Sequence, residues 1–134
     1  MSQESFAAVQ DAYEALAGAG LDQFIEHWSD DLDHRSIRGA PDDRGPIHGR
    51  DAMRAYVQDW MDTFDRFSME LVEVIDAGGD KVVAAERFGG RARLSGVETD
   101  QIIGGVFTIR DGKIARGREY ISRDHAVEAA GLSE

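Results

Sequence analysis

Two strand-like runs, IIGGVFTIR and KIARGREY, are joined by Asp111-Gly112. A two-residue Asp-Gly loop closes a tight hairpin, because both of its positions need a positive φ that Gly adopts freely and Asp tolerates. Such a loop sets the register. Arg110 falls opposite Lys113, and counting outward brings Gly104 opposite Glu119 and Gly105 opposite Arg118. Reading Ser95-Gly96 as a second two-residue turn places Arg87 on the other side of Gly104, and Glu86 on the other side of Gly105. Two rows result, Arg87-Gly104-Glu119 and Glu86-Gly105-Arg118, on opposite faces because strand side chains alternate. In each row a side chain is missing between an acid and a base roughly 9 to 10 Å apart, two strand spacings. The gap lets the charged groups lean together or leaves space for a ligand.

This hairpin belongs to a longer pattern. Strand-like runs at about 68–76, 81–91, 97–109 and 114–122 are separated by AGGD, LSG and DG turn signals and predict an antiparallel meander. Upstream the period is helical. Phe6, Val9, Tyr13, Leu16 and Ala17 mark a first helix, capped by Ser2 and stopped at Gly18 and Gly20. Leu21, Phe24, Ile25 and Trp28 mark a second, with Asp22 as cap, and a short strand follows at Leu32 to Ile37. RGAPDDRGPIHGR is a loop, punctuated by Gly39, Pro41, Gly45, Pro46 and Gly49. Met53, Tyr56, Val57, Trp60, Met61, Phe64 and Phe67 then form the broad apolar face of a helix beginning near Asp51. A terminal helix runs from a Ser122 cap to a Gly131 stop. Helices first and strands later predict an α+β fold, with helices covering one side of a curved antiparallel sheet. The 134 residues are expected to form a single domain over 1–134.

Composition narrows the function. A formal net charge of −11, with basic residues scattered among acids, disfavours a nucleic-acid partner. No apolar run approaches the roughly 18 residues of a membrane span. MSQESFAAVQDAYEAL reads as the first helix rather than an export signal, so a cytoplasmic location is expected. The absence of cysteine removes disulfides, thiolate nucleophiles and Cys-based zinc sites. His27, His48 and His125 lack metal-ligand spacing, and no metal or other cofactor is expected.

On the counted register Glu119 shares a face with Ala115, Gly117, Ile121, Ile102, Val106 and Thr108, small or apolar neighbours suited to a pocket. The opposite face, with Ile114, Arg116, Arg118, Tyr120, Gln101, Ile103 and Phe107, resembles an interface. Glu119 and Arg87 are therefore expected inside. Two readings of Glu119 stay open. Desolvation would tune it as a general base, whereas pairing with Arg87 would make it structural. Arg87 could instead bind an enolate or carboxylate oxygen. Asp100, roughly 13 Å along the strand from Gly104, is expected in a salt bridge. Tyr13, Trp28, Tyr56, Trp60 and Phe64 are core residues by spacing. Some of them are expected to line any cavity, together with Ile102, Val106 and Gly117.

The segments FTIRDGKIARGREYISRDHAVEAAGL, GPIHGRDAMRAYVQDWMDTF and YEALAGAGLDQFIEHWSDDL together resemble the SnoaL-like branch of the nuclear-transport-factor-2-like superfamily. The resemblance implies a cone-shaped, strongly curved sheet (a cystatin-like roll) closed by N-terminal helices, with one deep apolar pocket and a homodimer through the outer sheet face. It also implies an acid in the cavity at Glu119 and places the strand carrying His34 near it, so that His34 becomes a second acid or base, or else a packed residue. Activities in the superfamily include polyketide ring closure, ketosteroid isomerisation and epoxide opening, and many members perform no chemistry. Epoxide opening is disfavoured, because Ile102 and Gly104 stand where that type carries Arg and Asp. Gly117, where relatives often carry an aromatic, would enlarge the pocket. The expected protein is thus a cofactor-independent cyclase, isomerase or lyase for an apolar or polyketide-like molecule. In it Glu119 is the base and Arg87 or His34 polarises a carbonyl. The alternatives are a non-catalytic carrier and a dimeric interaction domain.

Overall fold

The computed structural model of the chain describes residues 3–40 and 43–132. Ser2, the expected cap of the first helix, and Pro41 lie outside them. The element order is α1 (Gln3–Gly18), α2 (Leu21–Glu26), β1 (Trp28–Arg35), β2 (Ile47–His48), α3 (Arg50–Thr63), β3 (Phe64–Asp76), β4 (Lys81–Ala92), β5 (Glu98–Arg110), β6 (Lys113–Tyr120) and α4 (Arg123–Ala129). The strands form one curved open sheet in the order β2-β1-β6-β5-β4-β3. The meander β3 to β6 is antiparallel, as the turn signals predict. Beyond it β1 adds to β6 in parallel, a pairing for which no local turn signal exists.

Local chemistry explains most element ends. Ser122 caps α4 by accepting the amide of His125. Gly20 and Gly49, both at positive φ, precede α2 and α3 in place of a side-chain cap. Trp28 opens β1 instead of extending α2. Phe64 and Phe67 belong to β3, since α3 stops at Thr63. The i to i+4 contact between Trp60 and Phe64 survives this break. Their rings stack across the helix–strand junction with centroids 5.3 Å apart and planes 6° from parallel.

The core lies between the helices and the inner sheet face. Val9, Ala12 and Tyr13 of α1 and Met53, Tyr56 and Val57 of α3 pack with Trp28, Leu32, Val82, Ala84, Phe107 and Ile114. Burying a Leu- or Phe-sized side chain here contributes about 1.5 to 3 kcal/mol. No helix among the described residues is long and apolar enough to cross a membrane.

Registers differ from the counted ones in two ways. The β4–β5 connection is longer than two residues, with the Ala92 amide donating to the Val97 carbonyl. Arg87 therefore faces Ile102 rather than Gly104. That shift is two residues, so it preserves every face. In the β5–β6 hairpin Arg110 pairs with Lys113 as expected, but Ile109 pairs with Ile114 while Thr108 pairs with Arg116. Ala115 is the extra residue of a bulge. This shift is one residue, so beyond it each β6 side chain joins the opposite face of β5. Gly105 now faces Glu119, and Gly104 faces Tyr120.

The outer face is partly covered by α4. Ala126 and Val127 are buried there with Val83, against Val106 and Tyr120. Gly104 makes the docking possible. A Cβ there would stand 2.6 Å from the Ala126 Cβ and closer still to the Ser122 carbonyl oxygen. Gly104→Ala should therefore push α4 off the sheet and destabilise the protein by about 1 to 3 kcal/mol, measured by urea unfolding. Amide exchange in α4 should rise more than in α1. Unchanged stability would mean that α4 is not seated on Gly104.

Candidate active site

A cavity of about 340 Å³ lies between the inner sheet face, α1 and α3. One wall is aromatic: Tyr56 and Trp60 come from α3, Phe64 and Phe67 from the start of β3, and Phe88 from β4. Trp60 stacks on Phe64 and meets Phe88 edge-on at 5.4 Å. The polar groups bordering the cavity include Tyr13, His34, Ser36, Thr99, Gln101 and Glu119.

The Ala115 bulge is what turns Glu119 inward onto the face of Gly105 and Phe107. Its side chain is 8% exposed, and Oε1 lies 3.4 Å from His34 Nε2. β1 brings His34 to this point by pairing beside Gly117. A Cβ on Gly117 would fall 2.5 Å from His34 Nδ1 and 3.2 Å from the Trp28 ring. The absent side chain thus admits the imidazole, and the space is filled rather than added to the cavity. Trp28 meets His34 edge-on at 5.4 Å. His34 Nδ1 is buried without a hydrogen-bond partner. A proton there would lack an acceptor, so the tautomer protonated at Nε2, aimed at Glu119, suits the site.

Behind Glu119 lies a second carboxyl. Glu86 is wholly buried, accepts the Tyr13 hydroxyl on Oε1 and leaves Oε2 without a partner. A Cβ on Gly105 would stand 2.7 Å from Oε2 and 2.8 Å from the Phe107 ring. Gly105 is therefore the gap into which Glu86 leans, beside the strand that carries Glu119. Burial, followed by the Glu119 charge, pushes the Glu86 carboxyl well above the ordinary carboxylate range against the lowering effect of the Tyr13 bond. Burial and the same two carboxyls push the Tyr13 hydroxyl well up. Glu86 is thus an acid held neutral by burial beside a second carboxyl.

Among the residues expected at the site, Glu119, His34, Tyr13, Tyr56, Trp60 and Phe64 border the cavity. Trp28 is core, fully buried behind His34. Arg87 is on the outer face, half-exposed and bound to Asp100 through two hydrogen bonds of 2.8 and 2.6 Å. The expected row with Glu119 does not form, because the bulge puts the two residues on opposite faces. Asp100 is in a salt bridge, as expected. Ile102 and Val106 also lie on the outer face. Conversely, Ile103, Phe107 and Ile114, expected at an interface, are buried in the inner-face core or border the cavity. Glu86 and Ser36 were missed. An acid within the apolar run VVAAERF was the available signal for Glu86, and the counted register sent it to the wrong face. Ser36, whose buried hydroxyl has no partner, gave no signal.

The fold is shared with solved nuclear-transport-factor-2-like proteins. A protein of this type from Burkholderia pseudomallei, of unknown function, superposes with a TM-score of 0.77 at 18% identity, covering 96% of this chain and 97% of that one. A protein from Xanthomonas campestris pv. campestris, provisionally assigned as a polyketide cyclase, gives 0.72 at 21% identity, with 96% and 97% covered. A Mycobacterium tuberculosis protein in complex with estradiol-17β-hemisuccinate gives 0.73 at 14% identity, with 92% and 97% covered. At these identities the likeness is one of fold. No curated protein matches the chain in sequence. The SnoaL-like domain model matches residues 9–117, and the chain belongs to that family. Glu119 falls just past the matched stretch, so its position rests on the geometry.

The raised Glu86 carboxyl has a consequence for stability. The native chain keeps a proton that the unfolded chain releases above about pH 4.3. This contribution is complete below that pH and is lost as pH rises toward the folded-state value. Glu86→Gln retains an acceptor for Tyr13 and does not titrate. Between about pH 4 and pH 8, wild-type unfolding free energy should therefore fall relative to that of Glu86→Gln. Parallel profiles in denaturant titrations would contradict a protonated Glu86.

Proposed function

We propose that the chain binds an apolar small molecule in this cavity and moves a proton on it, as a cofactor-independent isomerase or cyclase with Glu119 as the general base. The observation that carries the reading is the Glu119–His34 contact at 3.4 Å on the wall of a mainly apolar cavity. A carboxylate screened from bulk water and aimed by an imidazole is equipped to take a proton from carbon and return it to another position. With Arg87 on the outer face, the Ser36 hydroxyl is the candidate donor to a substrate carbonyl. It borders the same cavity, is buried, and has no protein partner. The estradiol-17β-hemisuccinate complex and the provisional polyketide cyclase are in keeping with an apolar polycyclic ligand.

A non-catalytic carrier is the second reading, favoured by the five aromatic side chains on one cavity wall. Conversion of cyclic β,γ-unsaturated ketones to their conjugated isomers, followed by enone absorbance, separates the two. Turnover above buffer, reduced about 10² to 10⁴-fold in Glu119→Gln with ligand binding retained, is the result expected of a base. Binding of the ketones without isomerisation or deuterium exchange at carbon would point to a carrier.

We also propose that the outer face left open by α4 pairs two copies of the chain. Ile102 is 52% exposed there, beside the Arg87–Asp100 pair. Sedimentation equilibrium should give twice the chain mass, and Ile102→Asp should return the monomer. A wild-type monomer at high concentration would rule this interface out.

A further inference from the structure

Among the described residues Glu119 is the one acid that borders the cavity, and no arginine or lysine borders it. Neither Glu119 nor Glu86 lies within ion-pair distance of an arginine or lysine among the described residues. Three arginines are held by surface acids, Arg87 by Asp100, Arg50 by Asp30 and Arg44 by Asp59, and the last also lies 5.3 Å over the Tyr56 ring. Arg35, Arg38 and Arg118 border a recess on the other flank of Glu119, where Asp43 holds Arg35 and Asp33 holds Arg118. His34 reaches Glu119 through Nε2, while its Nδ1 is buried with no partner. The wholly buried Glu86 Oε2, in the gap over Gly105, is likewise unpartnered. The aromatic residues of the cavity, Tyr56, Trp60, Phe64, Phe67 and Phe88, bring π-systems whose negative faces attract cations and repel anions.

We propose that the cavity takes an apolar molecule bearing a nitrogen cation, which lies against Glu119 with Glu86 behind it and the aromatic wall around its skeleton. Such a ligand supplies the counter-charge that the wall lacks. A neutral ligand would leave the carboxylate uncompensated in an apolar enclosure, and an anion would add a like charge. The inference rests on the reading of this cavity as the ligand site, and it fits Glu119 as a base. When a proton leaves carbon next to a C=N⁺ group for the Glu119 carboxylate, the C–H pair becomes the new C=C bond. The C=N π pair returns to nitrogen, and both charges vanish together.

Calorimetric titration with three 2-substituted naphthalenes tests it: (2-naphthylmethyl)trimethylammonium, its neutral isostere 2-neopentylnaphthalene, and the smaller anion 2-naphthylacetate. The ammonium should bind about tenfold or more tighter than the neutral isostere, with the acetate weakest. Glu119→Gln should erase the preference by weakening the ammonium, with the neutral isostere bound at least as tightly as by the wild type. Thr99→Lys, which places a cation on the partly exposed part of the wall, should shift preference toward the acetate without depending on how Glu119 variants fold. If the neutral isostere binds and the ammonium binds no tighter, the inference is overturned and the cavity stands as a ligand site. If none of the three binds, the ligand-site reading fails as well.

Discussion

One inserted residue, Ala115, decides what the cavity contains. Strand side chains alternate with a period of two, so an odd shift exchanges the faces of everything beyond it, while an even shift moves partners without changing sides. The β5–β6 hairpin carries an odd shift, and the β4–β5 ladder an even displacement from the shortest possible turn. Glu119 consequently meets Gly105, Phe107 and His34 instead of Arg87. Without the bulge the acid would share its face with Gly104 and Arg87, in ion-pair company. With it, the acid borders an apolar cavity lined by no arginine, while Arg35, Arg38 and Arg118 line the recess on its other flank.

The adjacent glycines serve the two faces separately. Gly104 gives up its side chain so that α4 can lie against the outside of the sheet, over Ala126 and the Ser122 carbonyl. Gly105 gives up its own so that Glu86 and the Phe107 ring can occupy the inside. A third glycine, Gly117, performs the same service for His34. In each case the missing Cβ is already replaced by another group, so the glycines mark close packing around the site rather than empty volume. The charges sort in parallel. Arginines and aspartates pair along the outer face and the loops, where solvent makes each pair worth little, roughly 0 to 1 kcal/mol. The two inner glutamates are left to hydroxyl, imidazole and each other.

What the sequence made legible follows the range of the interactions involved. The Asp111-Gly112 turn, the Ser122 cap and the apolar face of α3 are local features, and they are found where residue spacing puts them. Family resemblance put Glu119 and His34 beside the cavity, whereas the counted register pairs Glu119 with Gly104 and so with the outer face of β5. The β1–β6 pairing joins residues more than 80 positions apart, and a bulge at Ala115 has no compositional signature, since alanine suits either strand face. Those two long-range features place Arg87 outside, fill the space beside Gly117, and bring Glu86 under Glu119. The error at Arg87 and the omission of Glu86 therefore share a single cause, a parity that only the folded ladder reveals.

Stability alone would not select this arrangement. A wholly buried carboxyl with one oxygen unpartnered is costly, and apolar residues of similar volume in such positions are often neutral or stabilising. The cost is increased by a second carboxyl close enough to raise Glu86, and Tyr13 offsets only part of it. Core packing offers no compensation specific to an acid here, because Val82, Ala84 and Phe107 on the same inner face would pack as readily around a leucine. A buried acid held neutral beside a second carboxyl is instead what proton chemistry or recognition of a cation can use, and both uses need the surrounding enclosure to be dry. The apolar wall that makes the acids expensive for the fold is thus the feature that makes them strong toward a ligand.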